Sequence, residues 1–224
     1  MNIEVIADIG SCHNNRLEYF EHAIDVCERL GVTLKAQLFG PETALKGNVE
    51  LDHQIFADAA DYAAGRGVPF FASVWREQDL QRVLESGITR VKVAYSRRAD
   101  TDLQRALRSA AVHDGPLELI VSEDHSSNYP FHPAFTPLRR LFCVPQYPVY
   151  AELSFDRLFP EFQGFSDHTL GIRQTVRAIS AGASIIEKHV AFDGAADCLD
   201  KRFAIDEHDL ETLMSSLKGY NGGT

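Results

Sequence analysis

The chain has 224 residues and a mass of 25.0 kDa, one domain on the usual scale of ~100–200 residues. Its composition, 45% hydrophobic and 24% charged, excludes a disordered chain, a collagen-like repeat or a coiled coil. Acidic residues number 32 against 22 basic ones, a net charge of −10. That argues against nucleic acid or an anionic membrane as partner, and it requires any cations that bind an anionic ligand to be gathered in one pocket.

In chain order, short apolar β-rich runs fall at 3–9, 33–39, 69–75, 90–96, 117–123, 141–147, 164–168 and 184–192. Runs of this kind read as strands buried on both faces. Between them, 17–30, 51–66, 78–87, 101–112 and 172–182 carry apolar residues at three- and four-residue steps, the helical pattern. Gly31, Gly67, Gly87 and Gly182 stand just before the next strand, as helix-terminating glycines do. The segment 206–213 opens with acids that complement a helix N-terminus. Eight strands alternating with helices predict a compact (β/α)8 TIM barrel, a single domain over 1–220 with a frayed tail at 221–224. The fifth unit is irregular, because Pro130, Pro133 and Pro137 leave no room for a full helix between strands five and six. An open doubly wound sheet is the alternative, but no glycine-rich turn follows the first strand.

The N-terminus shows no targeting signal, and no apolar run approaches the ~20 residues a membrane helix needs. Cys12, Cys27, Cys143 and Cys198 are far apart, without a CxxC pair. The expectation is four reduced thiols in a cytoplasmic protein. Cys143, in an apolar run, reads as core packing.

A barrel builds its active site at the C-terminal ends of its strands. Those ends carry Asp8, Lys35 with Gln37, Ser73, Lys92 with Ser96, Ser122, Tyr147, Ser166 with His168, and Glu187 with His189. Period-two alternation puts each of these pairs on one face. Buried Lys and Glu are costly unless paired, so their concentration points to a polar ligand. His168 and His189, ending adjacent strands, suit a divalent ion such as Mn²⁺, Zn²⁺ or Fe²⁺; the plain alternative is two hydrogen-bonded structural histidines. Lys35 and Lys92, with the hydroxyls of Ser73, Ser122 and Ser166, suit a phosphate and a carboxylate; the alternative is two structural ion pairs.

The strings IADIGSCHNN (6–15), LKAQ (34–37), GVPFFASVW (67–75), VKVAYS (91–96), LIVS (119–122), FCVPQYP (142–148), GFSDHTLG (164–171) and GASIIEKHV (182–190) occur in this order. With them the chain resembles the catalytic barrel of the sialic acid synthase family. The resemblance implies a metal-dependent condensation of phosphoenolpyruvate with an aldehyde sugar, releasing phosphate. It implies His168 and His189 as metal ligands, usually for Mn²⁺, and Lys35 and Lys92 as donor-binding lysines. Ser73, Ser122 and Ser166 become hydroxyl contacts, Glu187 a carboxylate beside the metal, and Asp8 and Tyr147 acceptor-side residues, with Glu187 or Asp8 managing the protons of the reaction. Asp200, in the string LDK, stands nearest the aspartate of the family's PDH motif.

The sequence also departs from the family. Tyr95 stands where a serine is usual, and Ser122-Glu123-Asp124 replaces an STG, placing negative charge beside an anion site. Nothing in these 224 residues resembles the family's C-terminal antifreeze-like domain, and the expectation is a barrel without it. Two other readings therefore stay open: a metal-dependent lyase, aldolase or transferase on another small carbonyl compound, and a non-catalytic barrel that binds a sugar or a protein. A barrel-to-barrel homodimer is a further expectation.

Overall fold

The computed structural model describes residues 3–40, 49–125, 135, 137–159 and 161–221. Eight parallel strands close on themselves: β1 (Glu4–Asp8), β2 (Thr33–Leu38), β3 (Phe70–Val74), β4 (Arg90–Val93), β5 (Glu118–Glu123), β6 (Leu138–Cys143), β7 (Gly164–Asp167) and β8 (Ile185–Ala191). β1 pairs with both β2 and β8, which closes the barrel. A short β9 (Ile205–Asp206) extends the sheet from β8. The helices among the described residues are α1 (Leu17–Leu30), α2 (His53–Arg66), α3 (Glu77–Glu85), α4 (Thr101–His113), α5 (Arg173–Ser180) and α6 (Glu207–Asn221). The expected (β/α)8 barrel is therefore the observed fold.

Local chemistry sets several boundaries. Asp52 caps α2 by accepting from the backbone N–H groups of Gln54 (2.8 Å) and Ile55 (3.2 Å). Gly31 and Gly67 end α1 and α2 in the left-handed conformation, with φ of 71° and 70°. No helix lies between β6 and β7 among the described residues, a second irregular unit beyond the expected fifth. Pro145 and Pro148 keep the start of this connection non-helical, since neither can sit in a helix interior. Most of the fifth connection (126–134 and 136) and the tail at 222–224 lie outside the described residues.

The barrel interior is layered by the period-two pleat. Ile6, Phe71, Ile120, Leu141 and Ile185 form an apolar plug. Two residues further along the same strands stand Asp8, Ser73, Ser122, Cys143 and Glu187, which make a polar layer above it. Two residues earlier stand Glu4, Glu118 and Arg139, joined by Arg90 of β4. Arg90 bonds Glu4 at 2.5 and 2.8 Å and lies 3.5 Å from Glu118, closing the barrel's N-terminal end. A larger core packs the outer strand faces against the helices, centred on residues such as Phe20, Phe56, Leu107 and Phe165.

One cysteine expectation is overturned. Closing β1 against β8 brings the loops that follow them together, and Cys12 and Cys198 are joined as a disulfide with Cα atoms 5.3 Å apart. Only Cys27 and Cys143 remain as free, buried thiols.

Candidate active site

The C-terminal mouth of the barrel holds a cavity of about 710 Å³. Every residue singled out at the strand ends lines it: Asp8, Lys35, Gln37, Ser73, Lys92, Ser96, Ser122, Tyr147, Ser166, His168, Glu187 and His189. Strand register explains why. Asp8 sits opposite Lys35 and His189, Gln37 opposite Ser73, Ser73 opposite Lys92, and Ser166 opposite Glu187.

Two of these arrive by routes other than a strand end. β4 stops at Val93, so Ser96 does not share the pleat of Lys92; it sits on a 3₁₀ turn (Tyr95–Arg97) that folds back over the mouth. β6 starts at Leu138 and ends at Cys143, so Tyr147 lies on the following loop. Its ring stacks 4.0 Å from that of His168 and 5.2 Å from Phe203. Cys143 was expected in the core. It is buried, but it lines the cavity with Sγ 3.8 Å from His168 Nδ1, and burial pushes its thiol up to about 12, so it stays protonated.

A ladder of alternating charges forms the floor. Lys35 Nζ donates to Asp8 Oδ2 at 2.7 Å and lies 3.8 Å from Glu187 Oε2. Lys92 Nζ donates to Glu187 Oε1 at 2.6 Å, and Ser166 Oγ donates to the same oxygen at 2.9 Å. Gln37 Nε2 donates to Asp8 Oδ2 at 2.9 Å. Burial raises both carboxyls, but the lysines outweigh it and hold Asp8 and Glu187 well below the carboxylate range, Glu187 at about 2. The lysines diverge. Burial lowers both, yet Asp8 and Glu187 together bring Lys35 above its usual value, whereas Lys92, facing one carboxylate and repelled by Lys35, stays below it. The 2.6 Å contact with an ionised Glu187 decides for a charged Lys92. The ion pairs of the structural reading are therefore present, and both line the cavity.

The two histidines stand above this floor with ring centroids 6.0 Å apart. Burial, and next the neighbouring His189, lower His168 to about 3, against the opposing hydrogen bond to Val144 O, so its imidazole is neutral. Nδ1 lies 3.1 Å from the Val144 carbonyl, which can only accept, so Nδ1 carries the proton and Nε2 keeps its lone pair. His189 Nε2 lies 3.5 Å from Asp8 Oδ2, while its buried Nδ1 has no hydrogen-bond partner. A neutral, backbone-oriented imidazole and an orphaned buried ring nitrogen fit the two histidine positions of a divalent-ion site, while Asp8 and Glu187 are engaged by the lysines.

Glu123 and Asp124 do not crowd the cavity. Glu123 is buried on the outer face of β5, paired with Arg140, and Asp124 accepts from the Tyr95 hydroxyl at 2.6 Å. Asp200 lines the mouth, and its Oδ2 accepts from Ser11 N and Ser11 Oγ, both at 2.9 Å. Gly10 makes this approach feasible: it has φ of +58°, and a Cβ there would lie 2.6 Å from Asp200 Oδ2. Sequence reading missed Phe39, Tyr150, Arg202 and Phe203, which complete the rim. Phe39, two residues after Gln37, was within reach of the same alternation; the others come from loops without a periodic signal.

The chain matches the NeuB family over residues 32–221. It is 24% identical over 262 residues to N,N'-diacetyllegionaminic acid synthase of Legionella pneumophila, covering 97% of this chain and 72% of that protein. It is 24% identical over 186 residues to N-acetylneuraminate-9-phosphate synthase of Mus musculus, covering 77% of this chain and about half (51%) of that protein. Among solved structures, the sialic acid synthetase of Leptospira borgpetersenii, crystallised with citrate, superposes with a TM-score of 0.79 at 23% identity, over 96% of this chain and 82% of the other. The DAHP synthase of Thermotoga maritima superposes with a TM-score of 0.71 at 16% identity, over 98% of this chain and 69% of the other. The chain belongs to the NeuB family.

Proposed function

We propose that this barrel condenses phosphoenolpyruvate with an open-chain aldehyde sugar, forming a carbon–carbon bond and releasing phosphate. The observation that carries the reading is one cavity lined both by Lys35 and Lys92, which share Glu187, and by His168 and His189. C3 of the donor attacks the aldehyde carbon, water adds at C2, and the C2–O bond breaks to expel phosphate. Donor, aldehyde and water thus balance a 2-keto acid and inorganic phosphate.

His168 and His189 are the residues that would hold a divalent ion, Mn²⁺ in this reading. Bound there, the ion supplies Lewis acidity toward the aldehyde oxygen. The protein's own groups do the rest. Lys35 and Lys92 hold the donor's phosphate and carboxylate, and Asp8 and Glu187 keep both ammonium groups charged and fixed. The hydroxyls of Ser73, Ser96, Ser122 and Ser166 orient the anion. Glu187 Oε2 accepts no hydrogen bond, so that atom is placed to accept one from the attacking water and orient it. Asp8, Gln37 and Tyr147 contact the acceptor.

Among the described residues, no helix is long and apolar enough to cross a membrane.

The test is a thermal titration with phosphoenolpyruvate, with and without Mn²⁺, on the wild type, Lys35→Met and Lys92→Met. A ligand that binds the native state must raise its stability. The expected result is saturable stabilisation of the wild type that is weakened at least tenfold in either variant. No stabilisation of metal-loaded wild type sinks phosphoenolpyruvate as donor and returns the site to a lyase or aldolase on another carbonyl compound.

A further inference from the structure

Behind the two histidines, on the outer face of the barrel wall, lies a second charged group that the proposed chemistry does not use. Asp167 and Lys188 are the residues just before His168 and His189. They stand opposite each other in the β7–β8 register. The pleat that turns Ser166, His168, Glu187 and His189 inward turns these two toward the helix layer. Their side chains are fully buried, with Lys188 Nζ 3.3 Å from Asp167 Oδ2.

The pair's hydrogen bonds run to Thr169, the residue after His168, and to Thr175 of α5. Asp167 Oδ1 accepts from Thr169 N and from Thr169 Oγ1, both at 2.7 Å. Asp167 Oδ2 accepts from Thr175 Oγ1 of α5 at 2.5 Å. Lys188 Nζ donates to the Thr169 carbonyl. The backbone is thus clamped on both sides of His168. The clamped residue in turn fixes the mouth: the His168 carbonyl accepts from Val149 N at 2.9 Å, and its Nδ1 meets Val144 O at 3.1 Å, so both ends of the loop bearing Tyr147 are tied to it.

Stability alone does not account for such a pair. A buried ion pair is often replaced by apolar residues of similar volume at no net loss, whereas its geometry can specify one arrangement among several. We propose that Asp167 and Lys188 are positioning residues: the buried pair, through Thr169, sets the ring orientation of His168 and its separation from His189. The metal consequence rests on the reading of these histidines as ligands; the positional claim does not.

The experiment uses two variants of the full chain, Asp167→Leu/Lys188→Met, which removes both charges together, and Thr169→Val, which removes one hydroxyl from the clamp and leaves the pair intact. Melting temperature reports the fold. Imidazole ¹H–¹⁵N spectra of the metal-free protein report exchange of the His168 Nδ1 proton. Calorimetry with Mn²⁺ alone reports affinity. Losing the direct hydrogen-bond partner of a ligating histidine costs on the order of 10–100-fold in metal affinity, which is the upper bound for an effect relayed to His168 through Thr169. The expected result is a folded protein in which the His168 Nδ1 proton exchanges at least tenfold faster and Mn²⁺ binds correspondingly more weakly, with the smaller effect in Thr169→Val. If the double variant does not fold, Thr169→Val decides. Proton exchange within twofold of wild type overturns the proposal. A wild type whose Mn²⁺ binding is unaffected by His168→Ala overturns the ligand reading instead, and the exchange measurement still decides the positional claim.

Discussion

Glu187 is the shared counter-ion of the cavity floor, and Glu187→Gln tests that directly. The substitution keeps the shape and removes the charge that Lys92 meets at 2.6 Å and Lys35 at 3.8 Å. The longer contact alone is about 4 kcal/mol of Coulomb energy at an effective dielectric constant near 20, before desolvation is counted. Removing one partner from a buried pair costs ~3–5 kcal/mol, because the remaining charge is left uncompensated. For a chain of this size each kcal/mol lowers the melting temperature by roughly 2–4 °C, which gives a fall of about 6–20 °C. Thermal unfolding followed by circular dichroism in a phosphate-free buffer measures it. The same variant leaves two under-neutralised ammonium groups in one cavity, so added phosphate should raise its melting temperature more than it raises that of the wild type. A variant that melts within ~2 °C of the wild type, with no larger response to phosphate, refutes Glu187 as the common partner of the two lysines.

At the opposite end of the barrel, burial raises Glu4, but Arg90, by hydrogen bond and charge, more than offsets it and holds the carboxyl below its ordinary 4.5. A carboxyl depressed in the folded state stabilises above its unfolded value, and that contribution disappears as pH falls through the folded value. Glu4→Gln should therefore be less stable than the wild type by ~1 kcal/mol at neutral pH, with the gap closing under acid; a gap unchanged down to about pH 3 contradicts the pairing. A Cβ on Gly164 would lie 2.0 Å from the Ile185 carbonyl oxygen, so Gly164→Ala should force β7 off β8 and cost ~3 kcal/mol or more in denaturant unfolding; a variant of wild-type stability refutes that register. Protein unfolded without reductant should take up alkylating reagent at two cysteines, Cys27 and Cys143, and at four after reduction. Four labelled thiols without reductant refute the Cys12–Cys198 bond.

The fold was legible because a barrel of buried parallel strands writes itself into the sequence twice, as apolar runs and as the helical periodicity between them. α1 matches its predicted span, and Gly31 and Gly67 end their helices as read. The polar layer was legible for the same reason: Asp8, Lys35, Ser73, Ser122, Ser166 and Glu187 interrupt apolar strands near their ends, and all six line the cavity. What alternation could not give was anything past a strand's last residue. Ser96 reaches the cavity on a 3₁₀ turn and Tyr147 on an irregular loop, and neither obeys a period of two. Long-range partners were equally invisible. Cys12 and Cys198 are 186 positions apart and meet only because the barrel closes. Glu123 read as a charge beside the anion site, but its pairing with Arg140 on the outer wall depends on the register of β5 with β6.

The central claim is that the cavity joins phosphoenolpyruvate to an aldehyde sugar. The measurement that tests it most directly is phosphate release from phosphoenolpyruvate by the Mn²⁺-loaded protein, across a panel of N-acetylated and plain aldoses and their phosphates. The account predicts release that requires one aldose, is stoichiometric with a 2-keto acid product, and disappears in His168→Ala. Metal-loaded wild-type protein that binds phosphoenolpyruvate yet releases no phosphate with any aldose would contradict it.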